Sequence, residues 1–200
     1  MTKKKIAVVK KGISLPWILG IAFVVGLLFT GGGFAFAATQ EQQDSFCASC
    51  HTQPESTFYQ REQDKSAADL ASAHHPKEVR CIDCHSGAGV AGRIGAELLG
   101  AHNALAFITH TAIQPAKLTK PIGDSNCLKC HQKVLQGEPT ENNHFHHFLA
   151  RWQGTDPAAA TCTSCHSSHT TDGLTNLAFL NKERTVAVCE ACHRRLGEGD

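Results

Sequence analysis

The chain is poor in the residues from which a conventional core is built. It contains ten Phe, two Trp and one Tyr, and Met1 is its single methionine. No long alternating run of β-branched residues occurs after residue 40, which argues against a sheet-based fold. A dominant charge is also missing: 19 Lys and Arg stand against 18 Asp and Glu. Nothing here resembles a basic nucleic-acid-binding surface, so no nucleic-acid partner is expected. Between Gly12 and Gln40 there is no charged residue at all. No cysteine falls outside a single recurring motif, which leaves no thiol to spare for a disulfide framework.

That motif is Cys-x-x-Cys-His, and it occurs five times: Cys47/Cys50/His51, Cys81/Cys84/His85, Cys127/Cys130/His131, Cys162/Cys165/His166 and Cys189/Cys192/His193. On a helical turn residues i, i+3 and i+4 share one face, so two thiols and an imidazole can reach one planar group. The pattern is the attachment signature of c-type haem, with thioether bonds from the cysteines and the histidine on the iron. Zinc would need Cys-x-x-Cys pairs that close on one another and would not explain five adjacent histidines. The expected cofactors are five covalently attached haem c groups. About 160 residues remain for them outside the N-terminal segment, too few to wrap each in a conventional core. The expectation is a mainly α fold with much irregular structure, its interior formed largely by porphyrin and unstable without it.

Ile13 to Thr30 is almost wholly apolar, and with Gly31 to Ala38 the uncharged stretch exceeds the roughly 20 residues that span a bilayer. Lys3, Lys4, Lys5, Lys10 and Lys11 precede it, and Lys65 is the next lysine. The positive-inside rule puts residues 1–12 in the cytoplasm as a basic tail, 13–38 across the membrane and 39–200 outside. This is a single-pass protein of the cytoplasmic (inner) membrane with an extracytoplasmic haem domain. Ala35-Phe36-Ala37 also reads as a signal-cleavage site, but the apolar stretch is longer than a signal h-region and favours an uncleaved anchor. Gly31-Gly32-Gly33 would mark the helix exit or a flexible neck. Beyond the five lysines, fourteen basic residues face eighteen acidic ones, so the haem domain is mildly acidic.

The steps between first cysteines are 34, 46, 35 and 27 residues. The near-equal 34 and 35 predict two similar two-haem units, about 41–90 and 120–170, with the fifth haem at 185–200. Between them an amphipathic helix is predicted near Arg93–Ile108, with Ile94, Leu98, His102 and Leu105 close to one face. Pro115 and Pro121 would end regular structure after it. Pro157 to Ala160 reads as a turn, and Gly197–Asp200 as a frayed end.

Eight histidines lie outside the motifs: His74, His75, His102, His110, His144, His146, His147 and His169. They exceed the five needed for bis-histidine ligation, and methionine ligation is excluded except by Met1. Low-potential, mostly six-coordinate haems follow. Of the adjacent His74 and His75 one is expected to bind, and position favours His74. His144 and His147, spaced i, i+3, can serve two haems from one helix, with His146 the weaker candidate. His102 lies on the apolar face of the connecting helix with His110 two turns on, and His169 is better placed for a neighbouring haem than for the iron of His166. The distal set is therefore His74, His102, His110, His144, His147 and His169.

With these features the chain resembles the NapC/NirT family, which includes the NrfH-type subunits: membrane-anchored multihaem c-type cytochromes that oxidise quinol and reduce periplasmic reductases. The resemblance rests on the anchor, on Phe46-Cys-Ala-Ser-Cys-His51 soon after it, and on Ser72-Ala-His74 before Cys81-Ile-Asp-Cys-His85. It extends to Pro121-Ile122 before Cys127-Leu-Lys-Cys-His131, and to His144-x-x-His147 before Cys162-Thr-Ser-Cys-His166. It covers about residues 10–170 and implies distal roles for His74, His144 and His147, with a quinol site where haem 1 meets the membrane. Two features depart from the family. The methionine commonly found after the first motif is replaced by His51-Thr-Gln53-Pro54, and Cys189/Cys192/His193 adds a fifth motif to a four-haem core.

The leading functional expectation is transfer of electrons from a membrane quinol, menaquinol-type, to a periplasmic or extracytoplasmic redox protein. Asp44, Glu55 and Asp83 are candidate proton acceptors for quinol oxidation. The alternatives are a relay subunit with no quinol site of its own, a nitrite- or hydroxylamine-type reductase, which needs an open iron position, and a polymerising extracellular haem wire, which the anchor disfavours.

Overall fold

A computed structural model describes residues 14–50, 53–116, 121–138 and 143–196. The chain divides into two compact units, Met1–Gln40 and Glu41–Asp200. In the first, a single helix, α1 (Leu15–Gln40), runs for 26 residues, about 39 Å at 1.5 Å per residue. It is apolar all round and none of its residues is buried, which marks a helix suited to lipid rather than to a soluble core face. It is the one helix among the described residues long and apolar enough to cross a membrane. Contrary to expectation, Gly31-Gly32-Gly33 lies inside this helix. Each glycine weakens a helix by about 1 kcal/mol, but no proline or polar capping residue follows, and Ala35, Ala37 and Ala38 carry the helix to Gln40.

The second unit is built from short helices: α2 (Asp44–Cys50), α3 (Glu55–Glu62), α4 (Leu70–His74), α5 (Cys81–His85), α6 (Gly89–Ile108), α7 (Asp124–His131), α8 (His144–Thr155), α9 (Cys162–Cys165) and α10 (Lys182–Leu196). Among the described residues there is no strand. Two isolated antiparallel bridges, His166 with Leu180 and Leu174 with Leu180, fold the loop after α9 back on itself. The mainly helical, irregular architecture read from the sequence is the one observed.

The connecting helix begins four residues before its predicted start. Gly87, in the left-handed region at φ 75°, makes the turn that leads into it, and a Cβ there would collide with the backbone of Gly92. Gly89 follows, also at positive φ. The turn over Pro157–Ala160 is present, tied by Ala158 N–H to the Asp156 carboxylate at 2.9 Å.

The apolar core of the polypeptide is small. Leu149, Trp152 and Ala160 are buried together, with Leu135, Phe145, Ala159, Val188, Ala191 and Cys192 packed around them. Elsewhere Cys165 and Phe179 are buried, and the other buried residues are polar; among the described residues Asp69 and Ser167 are the most enclosed side chains. So few buried apolar groups do not stabilise 160 residues by themselves. Position is instead held by polar links between distant segments. Arg61 of α3 donates to the Asp69 carboxylate at 2.6 Å and to the His169 carbonyl at 2.9 Å. Leu70 N–H reaches the Ser167 carbonyl at 3.0 Å and Ala71 N–H the Ser168 carbonyl at 3.2 Å. Asp69 also caps α4 by accepting from Ser72 N–H. The segment after α9 is thereby seated on the start of α4.

Candidate functional site

The two cysteines of each motif lie on a helical turn, as their spacing demands. Cys47 and Cys50 are on α2, Cys81, Cys84 and His85 on α5, and Cys127, Cys130 and His131 on α7. Cys162 and Cys165 form α9 with His166 next, and Cys189, Cys192 and His193 are on α10. His51 lies outside the described residues. None of the ten cysteines is in a disulfide. The motif helices pack in chain order, α2 on α5, α5 on α7, α7 on α9 and α9 on α10. At two of these junctions the first thiols of consecutive motifs meet. Interaction with the Cys81 thiol lowers the Cys47 pKa, while the same interaction, burial and the Asp44 carboxylate raise that of Cys81, whose Sγ donates to Glu62 Oε2 at 3.9 Å. Cys162 stands to Cys127 in the same way: Cys127 falls to about 7 and Cys162 rises.

Four motif histidines face a histidine from elsewhere in the chain. His85 faces His169 with ring centroids 6.1 Å apart, His131 faces His74 at 6.0 Å, His166 faces His146 at 6.3 Å and His193 faces His144 at 6.1 Å. These separations are longer than the 4.3 Å of the face-to-face Phe58–His169 stack. Two imidazoles bound to one metal at about 2.0–2.1 Å place their centroids roughly 6–6.5 Å apart. Three of the pairs are within 18° of parallel; in the fourth the planes stand at 90°, which rotation about a shared axis allows.

Nδ1 of His74 is held by the Leu70 carbonyl at 2.6 Å and Nδ1 of His166 by the Ala178 carbonyl at 2.8 Å. An Nδ1–H donated to a carbonyl leaves Nε2 with its lone pair free for a metal. Burial lowers the pKa values of His85, His146 and His169, with His85 adding to the effect at His169 and His166 at His146. Low values keep these rings neutral, the form that ligates. Phe58 of α3 stacks on His169, centroids 4.3 Å apart, and orients it towards His85.

The fifth motif opens onto a pocket lined by His144, Phe148, Leu149, Trp152, Cys189, Cys192 and His193. Both thiols and both imidazoles needed by one haem c therefore share one apolar cleft. Trp152 Nε1 is buried there as a donor without a protein acceptor among the described residues, as expected where a polar edge of a cofactor completes the site. The residues present fit haem c: when bound it supplies a one-electron couple, held by two thioethers and two neutral imidazoles.

Six distal candidates were expected, and the structure brings His74, His144 and His169 opposite motif histidines. His147 faces none among the described residues; its Nδ1 bonds instead to the Gly137 carbonyl at 2.9 Å. His146, ranked behind it, faces His166. His102 and His110, both exposed, stand in no such pair among the described residues. The segment after α6 is nonetheless tied to the first motif, by Gln114 Nε2 to the Cys50 carbonyl at 3.4 Å and Ala116 N–H to the Gln53 carbonyl at 2.8 Å. His75 sits 3.8 Å from the Asp44 carboxylate, which together with Glu62 makes a cluster of three titratable groups. Asp44 is buried, Glu55 half-buried and Asp83 exposed. The place of Glu62 in this cluster had no signal in motif spacing.

A family defined by a doubled CXXCH motif matches residues 156–198, which hold the fourth and fifth motifs. The chain is also similar to the high-molecular-weight cytochrome c of Nitratidesulfovibrio vulgaris, 27% identical over 180 residues, covering 74% of this chain and 31% of that protein. It thus spans about a third of the length of that relative. No solved structure matches the chain. The motifs, the geometry around them and these similarities define a multihaem c-type cytochrome.

Proposed function

We propose that this cytochrome carries five haems and relays electrons from the membrane quinol pool to an extracytoplasmic redox protein, in the manner of the NapC/NirT family. The observation that carries the reading is the order of packing. Motif helices one to five adjoin in sequence, and four of the five motif histidines already face a second imidazole. Such a row of saturated irons suits electron transfer and leaves no open position for a reductase at those four sites. The distal ligands are then His169 for haem 2, His74 for haem 3, His146 for haem 4 and His144 for haem 5. For haem 1 the residues tied to its motif favour the α6 segment, with His102 or His110. The helix α1 supports an anchor, and the five lysines that precede it favour an N-terminus in the cytoplasm.

The experiment is reduction of the full, haem-loaded chain in lipid nanodiscs by a menaquinol analogue, followed by absorbance. Rapid reduction of all haems is expected. A specific observation supports a second reading, a relay subunit without a quinol site: the similar cytochrome is about three times as long and joins this region to much more. Failure of quinol to reduce an otherwise redox-active preparation would leave that reading in place of the first.

A further inference from the structure

The two near-equal motif steps are matched by one shared contact. Asp44 precedes Cys47 by three residues and Asp124 precedes Cys127 by three. Asp44 Oδ1 accepts from the backbone N–H of Cys81 at 2.8 Å, and Asp124 Oδ1 accepts from the backbone N–H of Cys162 at 2.7 Å. In both cases the acceptor opens one motif helix and the donor is the first cysteine of the next motif, at the first turn of α5 or α9. At both junctions the two motif helices also pack directly on one another, α2 on α5 and α7 on α9. The same atom of the same residue at the same offset makes the same link twice, although the sequences between do not match closely.

The link has two physical effects. A carboxylate bonded to a helix-N-terminal amide gains from the positive end of the helix, and this sets the register of one motif helix on the next. Because both helices carry thioether positions, fixing their register fixes how the two attached haems overlap. The carboxylate also places a negative charge beside both attachment points, which favours the oxidised state of each iron over the reduced. Its second oxygen is engaged differently in the two copies: Asp124 Oδ2 accepts from Gln153 Nε2 at 2.7 Å, whereas Asp44 Oδ2 lies near His75. The link at the third and fourth motifs is thus held by neutral partners and is the cleaner one to test.

We propose that Asp44 and Asp124 are positioning residues that lock the haems of motifs one and two, and of motifs three and four, into two closely coupled pairs and hold their potentials down. The proposal rests on haem occupancy of these motifs and is independent of the electron donor and acceptor. It is tested in the full, haem-loaded protein with Asp124→Asn and Asp124→Ala, read by Soret circular dichroism for haem–haem coupling and by a spectroelectrochemical titration. Asp124→Asn keeps an acceptor oxygen and loses the charge, so the coupling signal should survive while two haem potentials rise. Asp124→Ala loses both, so coupling should weaken as well. If Asp124→Ala does not accumulate with its full haem content, Asp124→Asn decides alone. A wild-type titration from Asp124→Asn, or a wild-type coupling signal from fully loaded Asp124→Ala, would overturn the proposal. Quinol reduction is not among the readouts, so a failed relay reading leaves the result interpretable.

Discussion

At the scale of single residues, the choice among spare histidines turns on one step around a helix. His146 and His147 are neighbours on α8, about 100° apart, and the first faces His166 while the second bonds Gly137. Spacing arguments favoured His147 because i, i+3 residues share a face, yet that face need not be the one turned towards the nearest motif. His146→Ala should convert one low-spin ferric haem to high-spin, visible by electron paramagnetic resonance, and His147→Ala should leave the low-spin count unchanged. Glu62 offers a second test. Burial and the neighbouring Asp44 raise its pKa, opposed by His75. The folded protein therefore holds a proton that the unfolded chain releases more readily. The stability this contributes is full below the usual carboxylate range and is lost as pH rises through the raised value. Glu62→Gln should accordingly raise the melting temperature at neutral pH and have little effect at acid pH. A gain confined to acid pH would contradict the assignment.

Among elements, the loop between α9 and α10 does more to build the haem sites than its irregular outline implies. It presents the Ala178 carbonyl to His166 and seats Ser167 and Ser168 on α4, which carries His169 to His85. The loop is held by Asp172, which accepts from Ser167 at 2.7 Å and from Asn181 at 2.8 Å, and by Arg184, which donates to Ser167 at 2.6 Å. Within it, a Cβ on Gly173 would strike the backbone of Phe179. Gly173→Ala should destabilise the loaded protein by about 1–3 kcal/mol, the usual range for overpacking a close contact. It should also perturb the haem ligated by His166 before the others. Thermal melting with heme-resolved spectra checks both, and an unshifted melt would show that the loop moves aside freely.

For the whole molecule, the small polypeptide core has a direct consequence. Among the described residues only Leu149, Trp152, Ala160, Cys165 and Phe179 are buried apolar groups, which leaves the haem domain dependent on its attached groups for an interior. The chain produced without haem should show no cooperative thermal transition by circular dichroism, whereas the loaded protein should melt cooperatively. The proposal that α1 is an anchor makes a separate prediction: the loaded protein should remain with membranes through an alkaline carbonate wash and be released by detergent. Recovery in the wash, with an N-terminus near Ala38, would instead mean that the apolar segment is removed.

The attachment chemistry was legible in the sequence because everything it needs lies within five consecutive residues. One helical turn suffices to bring two thiols and an imidazole onto one face, and the apolar segment declared itself by composition alone. The helical, strand-poor class followed from what was missing. Partners in tertiary contact were not legible in the same way. His85 meets His169 only because Asp69, Arg61 and the Ser167 and Ser168 carbonyls bind α3, α4 and the loop after α9 together. Asp124 reaches Cys162 only because α7 packs on α9. Such links join residues far apart in the chain through single hydrogen bonds, which leave no periodicity to read. The motifs named one histidine for each attachment site, and the packing of the folded chain set a second histidine opposite four of them.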